Sequence, residues 1–220
     1  PYEAYANGAA KDIDFMQGCT KDEMGYFVVG FGDFYDEWAA DLKAKKLAQM
    51  TEDERALVES FCKDVKDVSP DYTSTSRLFD QIVFIAPLFR MSENQTKAGG
   101  KSYTYYFRVE SSIPKMKSGH AVELSTVFNH AEETLVTGRR FDETFSKTLR
   151  RMWVQFAKTG NPSLSAKDSP DGKAKEWPLY DIENKSLMIF DEFDIHPAKE
   201  SDLKLIDWDR TYFLTKYYCI

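Results

Sequence analysis

An α/β layer architecture is the fold class this sequence predicts, on three observations. Short segments rich in β-branched and aromatic residues alternate with longer segments of helical periodicity. Hydrophobic residues fill 42% of the 220 positions, ordinary for a globular chain long enough to bury a sizeable core. Only about three segments read as strands, too small a sheet to hide the aromatic helix faces around it. The chain opens at Pro1 rather than Met and meets its first strand soon after, so a missing upstream portion is expected.

Residues 12–19 (DIDFMQGC) read as a short strand ending in a glycine-containing turn, and 20–25 (TKDEMG) as a polar loop. Residues 33–50 have helical periodicity, with Phe34, Trp38, Leu42 and Leu47 near one face. At 51–62 (TEDERALVESFC), Thr51 caps a helix and Glu54 completes the capping box. Ser69-Pro70 breaks that pattern. Residues 75–98 read as a helix pair or one kinked helix with Pro87 at the break, stopped by Gly99-Gly100. Tyr, Phe, Val and Thr crowd 101–110 (KSYTYYFRVE), which is a strand. A loop around Pro114 and a short helix over 122–129 follow. The clearest amphipathic helix is 141–158, where Phe145, Leu149, Met152, Trp153 and Phe156 share a face and Gly160 closes the end. Residues 161–175 form a Pro/Ser/Gly-rich surface loop, 177–181 an extended stretch and 186–193 a strand. A last helix over 203–218 carries Trp208, Tyr212, Phe213 and Tyr217.

Composition excludes several function classes. Net charge is −7, and acidic and basic residues interleave without the basic stripe that a nucleic-acid backbone requires. The longest apolar runs, such as 27–31, fall far below the ~20 residues of a membrane helix, and no signal peptide is expected. Cys19, Cys62 and Cys219 are odd in number and far apart, with no CxxC. A disulfide scaffold and a structural zinc site are therefore disfavoured, and a reducing, cytoplasmic compartment is expected.

The histidines are His120, His130 and His196. His130 ends a short helix and His196 sits in a turn after a strand, so both read as structural. His120 follows a strand through a Pro/Gly-containing loop, the setting of a base that must reach a nucleophile while a carboxylate orients its other nitrogen. Asp22-Glu23 lie directly after the first strand, at the carboxyl end where α/β sites gather. The order carboxylate then histidine is that of Ser…Asp/Glu…His hydrolases.

Four motifs in sequence order carry a resemblance. GCTKDEMGYF (18–27) resembles the acidic-residue motif of the type B carboxylesterase and cholinesterase family, and SGHAVELSTVF (118–128) its histidine motif. FAKTGNPS (156–163) and EWPLYD (176–181), the latter followed by a Leu-x-Phe strand at 187–190, are similar to two further family segments. The resemblance covers nearly the whole chain and implies the C-terminal part of an α/β-hydrolase fold: a mostly parallel sheet with helices on both faces. It implies that 33–98 form a mainly helical cap and gorge region. It implies Glu23 as the triad acid, His120 as the general base and Glu123 as a supporting carboxylate, with no cofactor and no metal. Trp38, Phe79, Phe84 and Phe89 are candidates for an acyl or alcohol pocket, or for core. Ala121 stands where the family usually has Gly, a departure that matters only if the backbone there needs positive φ. Met24 stands between the acid and Gly25, where the family often has Gly directly.

No Gly-x-Ser-x-Gly and no Gly-Gly-Gly stretch occurs in the 220 residues. The nucleophile is therefore on none of these residues. The expected partners are the N-terminal half of the enzyme, in the same or a separate chain, and a small-molecule ester. The segment alone is expected to be inactive, and to self-associate or aggregate unless that half is present. Two rival readings remain. A metal hydrolase would use His120-x-x-Glu123 with His130, Glu132 and Glu133, but no HExxH spacing occurs. A non-catalytic interaction module of the same fold is the other; such a protein has no need of both Glu23 and His120.

Overall fold

A computed structural model describes residues 2–65, 72–130 and 134–217. Among them four strands form one sheet in the order β1-β2-β3-β4: β1 Phe15–Thr20, β2 Ser102–Phe107, β3 Met188–Asp191 and β4 Asp194–Pro197. The β1–β2 and β2–β3 pairs are parallel, with Gly18 opposite Tyr105 and Thr20 opposite Phe107; β3–β4 is an antiparallel hairpin. The hairpin return is absent from the sequence expectation, because four residues of alternation (DIHP) are too short a signal. Gly18, expected in a turn, lies inside β1: a Cβ there would sit 2.3 Å from the Tyr105 ring, so the glycine makes room for an aromatic on the next strand.

The sheet is covered on both faces. Tyr103, Phe107, Met188 and Phe190 point to one side, where the helix Glu143–Thr159 lays down Phe145, Leu149 and Met152. That helix begins where the Asp142 side chain accepts a hydrogen bond from the Phe145 N–H and ends at Gly160, whose φ of 73° only glycine takes without cost. Cys19, Tyr106 and Ile189 face the other side, against Phe89 and Trp208.

Among the described residues five α-helices lie between β1 and β2, and a third cluster joins the first four of them. The five are α2 Met24–Phe31, α3 Tyr35–Leu47, α4 Glu52–Val65, α5 Ser74–Phe79 and α6 Ala86–Lys97, after a short N-terminal α1 at Tyr2–Ala6. The Thr51–Glu54 capping box forms as expected, with the Thr51 N–H donating to Glu54 Oε2 at 3.0 Å and the Glu54 N–H to Thr51 Oγ1 at 3.3 Å. Phe34, expected on the apolar face of α3, is 77% exposed in the turn that precedes it. The expected break at Pro87 takes a specific form. A π-helical segment, Asp80–Ile85, separates α5 from α6, and Pro87 opens α6. A proline has no N–H to give and its ring crowds the carbonyl four residues back, so the preceding turn widens, and the Ala86 N–H bonds Gln81 O. The Ser69-Pro70 break lies outside the described residues.

The single helix expected over 203–218 is divided. Glu200–Ile206 ends at Asp207, whose φ of 53° is left-handed, and a further turn at Trp208–Thr211 passes into a 3₁₀ segment over Tyr212–Tyr217. Aspartate tolerates that conformation better than most residues. No helix among the described residues is long and apolar enough to cross a membrane.

Candidate active site

β1 and β2 are parallel neighbours, so the loops that leave their carboxyl ends emerge side by side. The first, residues 21–23, is a tight turn closed by the Gly25 N–H on Asp22 O at 2.8 Å. The second runs from Arg108 to Glu123. Several bonds tie the two together. The Lys21 N–H donates to Phe107 O at 2.8 Å, the Asp22 N–H to Ser118 O at 3.0 Å, and the His120 N–H to Glu23 O at 3.1 Å. Two glycines make this approach possible. A Cβ on Gly25 would sit 2.0 Å from Met116 O, and one on Gly119 would sit 2.8 Å from the same atom.

Glu23 and His120, 97 positions apart, meet at the junction: His120 Nδ1 lies 2.7 Å from Glu23 Oε2. Glu23 Oε1 accepts the Thr20 N–H at 2.6 Å, so both carboxylate oxygens are engaged in a residue only 3% exposed. The His120 side chain is 46% exposed, and with Nδ1 on Glu23 its Nε2 is left for chemistry. The hydrogen bond to Glu23 raises the imidazole pKa above 6.5, against partial burial, with Glu123 adding to the rise. Phe84, at 5.3 Å between ring centroids, and Phe27 and Tyr26, each at 6.1 Å, flank the imidazole. Beside it an open groove of about 760 Å³ is walled by Tyr26, Phe27, Leu124, Phe128 and Leu135.

Glu123 is buried at the same junction and takes the Tyr105 hydroxyl on Oε1 at 3.2 Å, but it does not bond His120. Burial raises its carboxyl pKa. Phe79 and Phe89 are core, at 0% and 1% exposure; Trp38 packs against Phe27 and Phe31. Of the four candidate pocket aromatics, Phe84 is the one in contact with the His120 ring. His196 is bound between Asp194 and Asp202, beside an Arg108 that pairs with Asp191 and Asp202. Among the described residues no group of three His, Cys, Asp or Glu side chains is arranged to hold a metal ion; Glu132 and Glu133 lie outside them. Cys19 is buried, Cys62 half-buried, and Cys219 lies outside the described residues.

Beneath the pair sits a buried polar cluster the sequence reading missed. Arg77 donates to Lys21 O at 2.7 Å and pairs with Asp22 at 2.5 Å and Asp80 at 3.2 Å. Asp80 also accepts the Met24 N–H at 3.0 Å and the Tyr72 hydroxyl at 2.8 and 2.9 Å. An acid inside the apolar run LFDQIVFIAPLF is the signal that was there to read. A carboxylate cannot be buried unpaired, and Arg77 stands three residues before it.

Ala121 has φ 67°, so the departure noted in the sequence falls where glycine is the natural residue. Left-handed backbone costs a residue with a Cβ about 1–2 kcal/mol, partly offset because glycine is more disordered when unfolded. Ala121→Gly is accordingly expected to raise the urea midpoint, corresponding to a gain of about 0.5–1 kcal/mol. A variant no more stable than the parent chain contradicts this.

An acid and a histidine on the carboxyl-end loops of adjacent parallel strands, with helices on both sheet faces, define a partial α/β-hydrolase fold. The structure of the carboxylesterase EST55 of Geobacillus stearothermophilus at pH 6.2 superposes with a TM-score of 0.72 at 23% identity, over 93% of this chain and 42% of that one. Residues 1–203 match the sequence model of the Carboxylesterase family, and the chain belongs to that family. The para-nitrobenzyl esterase of Bacillus subtilis (strain 168) is 28% identical over 209 residues, covering 92% of this chain and 39% of that protein. The bile salt-activated lipase of Bos taurus is 27% identical, with 86% of this chain and 34% of that protein covered. The chain thus spans less than half the length of the relatives it matches.

Proposed function

We propose that this chain is the acid- and base-bearing part of a serine carboxylesterase. The observation that carries the reading is the 2.7 Å bond between His120 Nδ1 and buried Glu23. In this reading His120 Nε2 takes the proton of a serine as its oxygen attacks the ester carbonyl, then returns it to the departing alcohol. Water, activated by the same nitrogen, attacks the acyl-serine, releasing the acid and restoring the serine. Glu23 holds the tautomer with Nδ1–H and stabilises the imidazolium. Glu123 is a supporting carboxylate, and the aromatic-walled groove takes the apolar part of a small ester. No cofactor takes part.

The serine and the oxyanion donors come from a segment beyond these 220 residues, in the same or a separate chain, since no Gly-x-Ser-x-Gly occurs here. Among the described residues β1 has no strand on its outer edge, and a parallel strand is normally paired on both sides. A binding module on the same fold is the second reading. The formed Glu23–His120 pair favours the enzyme, because a module has no use for it.

The test is hydrolysis of a para-nitrophenyl ester by the purified chain, alone and joined to a family segment containing the serine. The chain alone is expected to show only background rate, and the joined protein turnover that His120→Ala removes. Turnover by the chain alone, or a joined protein indifferent to His120→Ala, overturns the reading.

A further inference from the structure

Below the Glu23–His120 pair lies the most fully buried charge cluster of the described residues, and nothing in the reaction sketched above uses it. Its geometry is organised around one turn. Arg77 reaches across residues 21–23 with its guanidinium, holding the Lys21 carbonyl with one nitrogen and the Asp22 carboxylate with another. Asp22 in turn presents Oδ2 to the Ser118 N–H at 3.3 Å, while its own N–H bonds Ser118 O. The acid turn is thereby stapled to the histidine loop two residues before His120. Asp80 grips the other side, taking the N–H of Met24, the residue after Glu23. The same π-helical segment that carries Asp80 places Phe84 against the imidazole. Such segments are rare and frequent at functional sites, because the extra residue re-aims side chains that a regular helix would turn away.

We propose that Arg77 and Asp80 are positioning residues for Glu23 and His120. They fix the acid turn against the histidine loop, and so set the separation of carboxylate and imidazole, without touching either. This rests on the reading of Glu23 and His120 as a working pair. Arg77 is suited to the task because its guanidinium reaches a carbonyl and two carboxylates at once; a lysine keeps the charge and loses the fork. Asp80 needs both oxygens, one for the Met24 N–H and one for Arg77, and an asparagine offers a single acceptor oxygen.

The test is NMR of the 220-residue chain joined to the serine-bearing family segment, following the His120 Nδ1–H resonance and the imidazole titration, with His196 as an internal control and unfolding curves for every variant. Glu23→Gln removes the partner outright. It is expected to abolish the protected Nδ1–H signal and lower the His120 midpoint by about one unit or more. Arg77→Lys and Asp80→Asn are expected to weaken or lose the same signal and lower the same midpoint by a smaller amount, leaving His196 unmoved. Should either variant unfold, Tyr72→Phe takes its place. It removes only the hydroxyl that bonds Asp80, and is expected to broaden the Nδ1–H signal. If Glu23→Gln changes His120 while folded Arg77, Asp80 and Tyr72 variants leave it as in the parent, the positioning role is wrong and the pair stands. If Glu23→Gln itself leaves His120 unchanged, the pair is wrong. A shift of His196 equal to that of His120 would mark a general loosening and also overturn the proposal.

Discussion

Arg77→Ala is expected to cost about 3–5 kcal/mol of folding stability, the range for removing one partner of a buried ion pair. The size follows from what stays behind. The Asp22 and Asp80 side chains are 1% and 0% exposed, and Arg77 itself only 15%. Without the guanidinium, two buried carboxyl groups face each other with no cation between them. Burial already raises the Asp80 pKa, and Arg77 pulls it down. In the variant that pull is gone, so the pKa climbs further. A carboxyl whose folded pKa is raised favours folding when protonated, and this advantage is lost as pH rises through that value. The parent carboxyl already titrates at about 8, so the deficit should be greater at about pH 9 than at about pH 6. Urea unfolding of both proteins at the two pH values measures it. A loss below about 1 kcal/mol, as for an exposed pair, would show that the cluster is solvated or relaxes readily.

In the joined, active enzyme, Glu23→Gln is expected to lower kcat by about 10⁴-fold with KM nearly unchanged, as when the acid of a Ser-His-Asp triad becomes an amide. Glutamine keeps the shape but offers one acceptor where Glu23 uses two: His120 Nδ1 on one side and the Thr20 N–H on the other. It also cannot stabilise the imidazolium. Because Glu23 is the chief cause of the raised His120 pKa, the acid limb of kcat/KM should lie above pH 6.5 in the parent and move down in the variant. Stability follows the same linkage. The protonated pair contributes fully below 6.5 and fades as pH rises through the raised value, so Glu23→Gln should destabilise most in mild acid. A kcat within about tenfold of the parent would remove Glu23 from the mechanism.

The parts of the molecule legible in the sequence were those written locally. The helix Glu143–Thr159 announces itself by its apolar stripe, Asp142 and Gly160, and the capping box at Thr51 by its spacing. Glu23 and His120 were picked out by their place after strands, and by family motifs that cover both. Elements decided by distant partners were less legible. Met24–Phe31 (MGYFVVGF) holds two glycines and two valines, and has little local reason to be helical. It is a helix because Met24 and Val28 pack into the core shared with Tyr35 and Phe79. The Asp22–Arg77–Asp80 cluster joins a turn to a helix more than fifty positions away, and only the folded chain reveals which cation serves which acid. The left-handed Asp207 that interrupts the C-terminal helix has no counterpart in the periodicity of Trp208 and Tyr212.

The parallel register of β1 on β2, Thr20 opposite Phe107, has a consequence for how this chain tolerates change in length. Sliding β1 by a single position would displace the acid by about 3.3 Å and turn its strand's side chains to the opposite face. Deleting or inserting one residue anywhere between Phe15 and Glu23 should thus separate Glu23 from His120. Indels in the loop between Leu47 and Glu52, far along the chain from both strands, should be absorbed without effect on it.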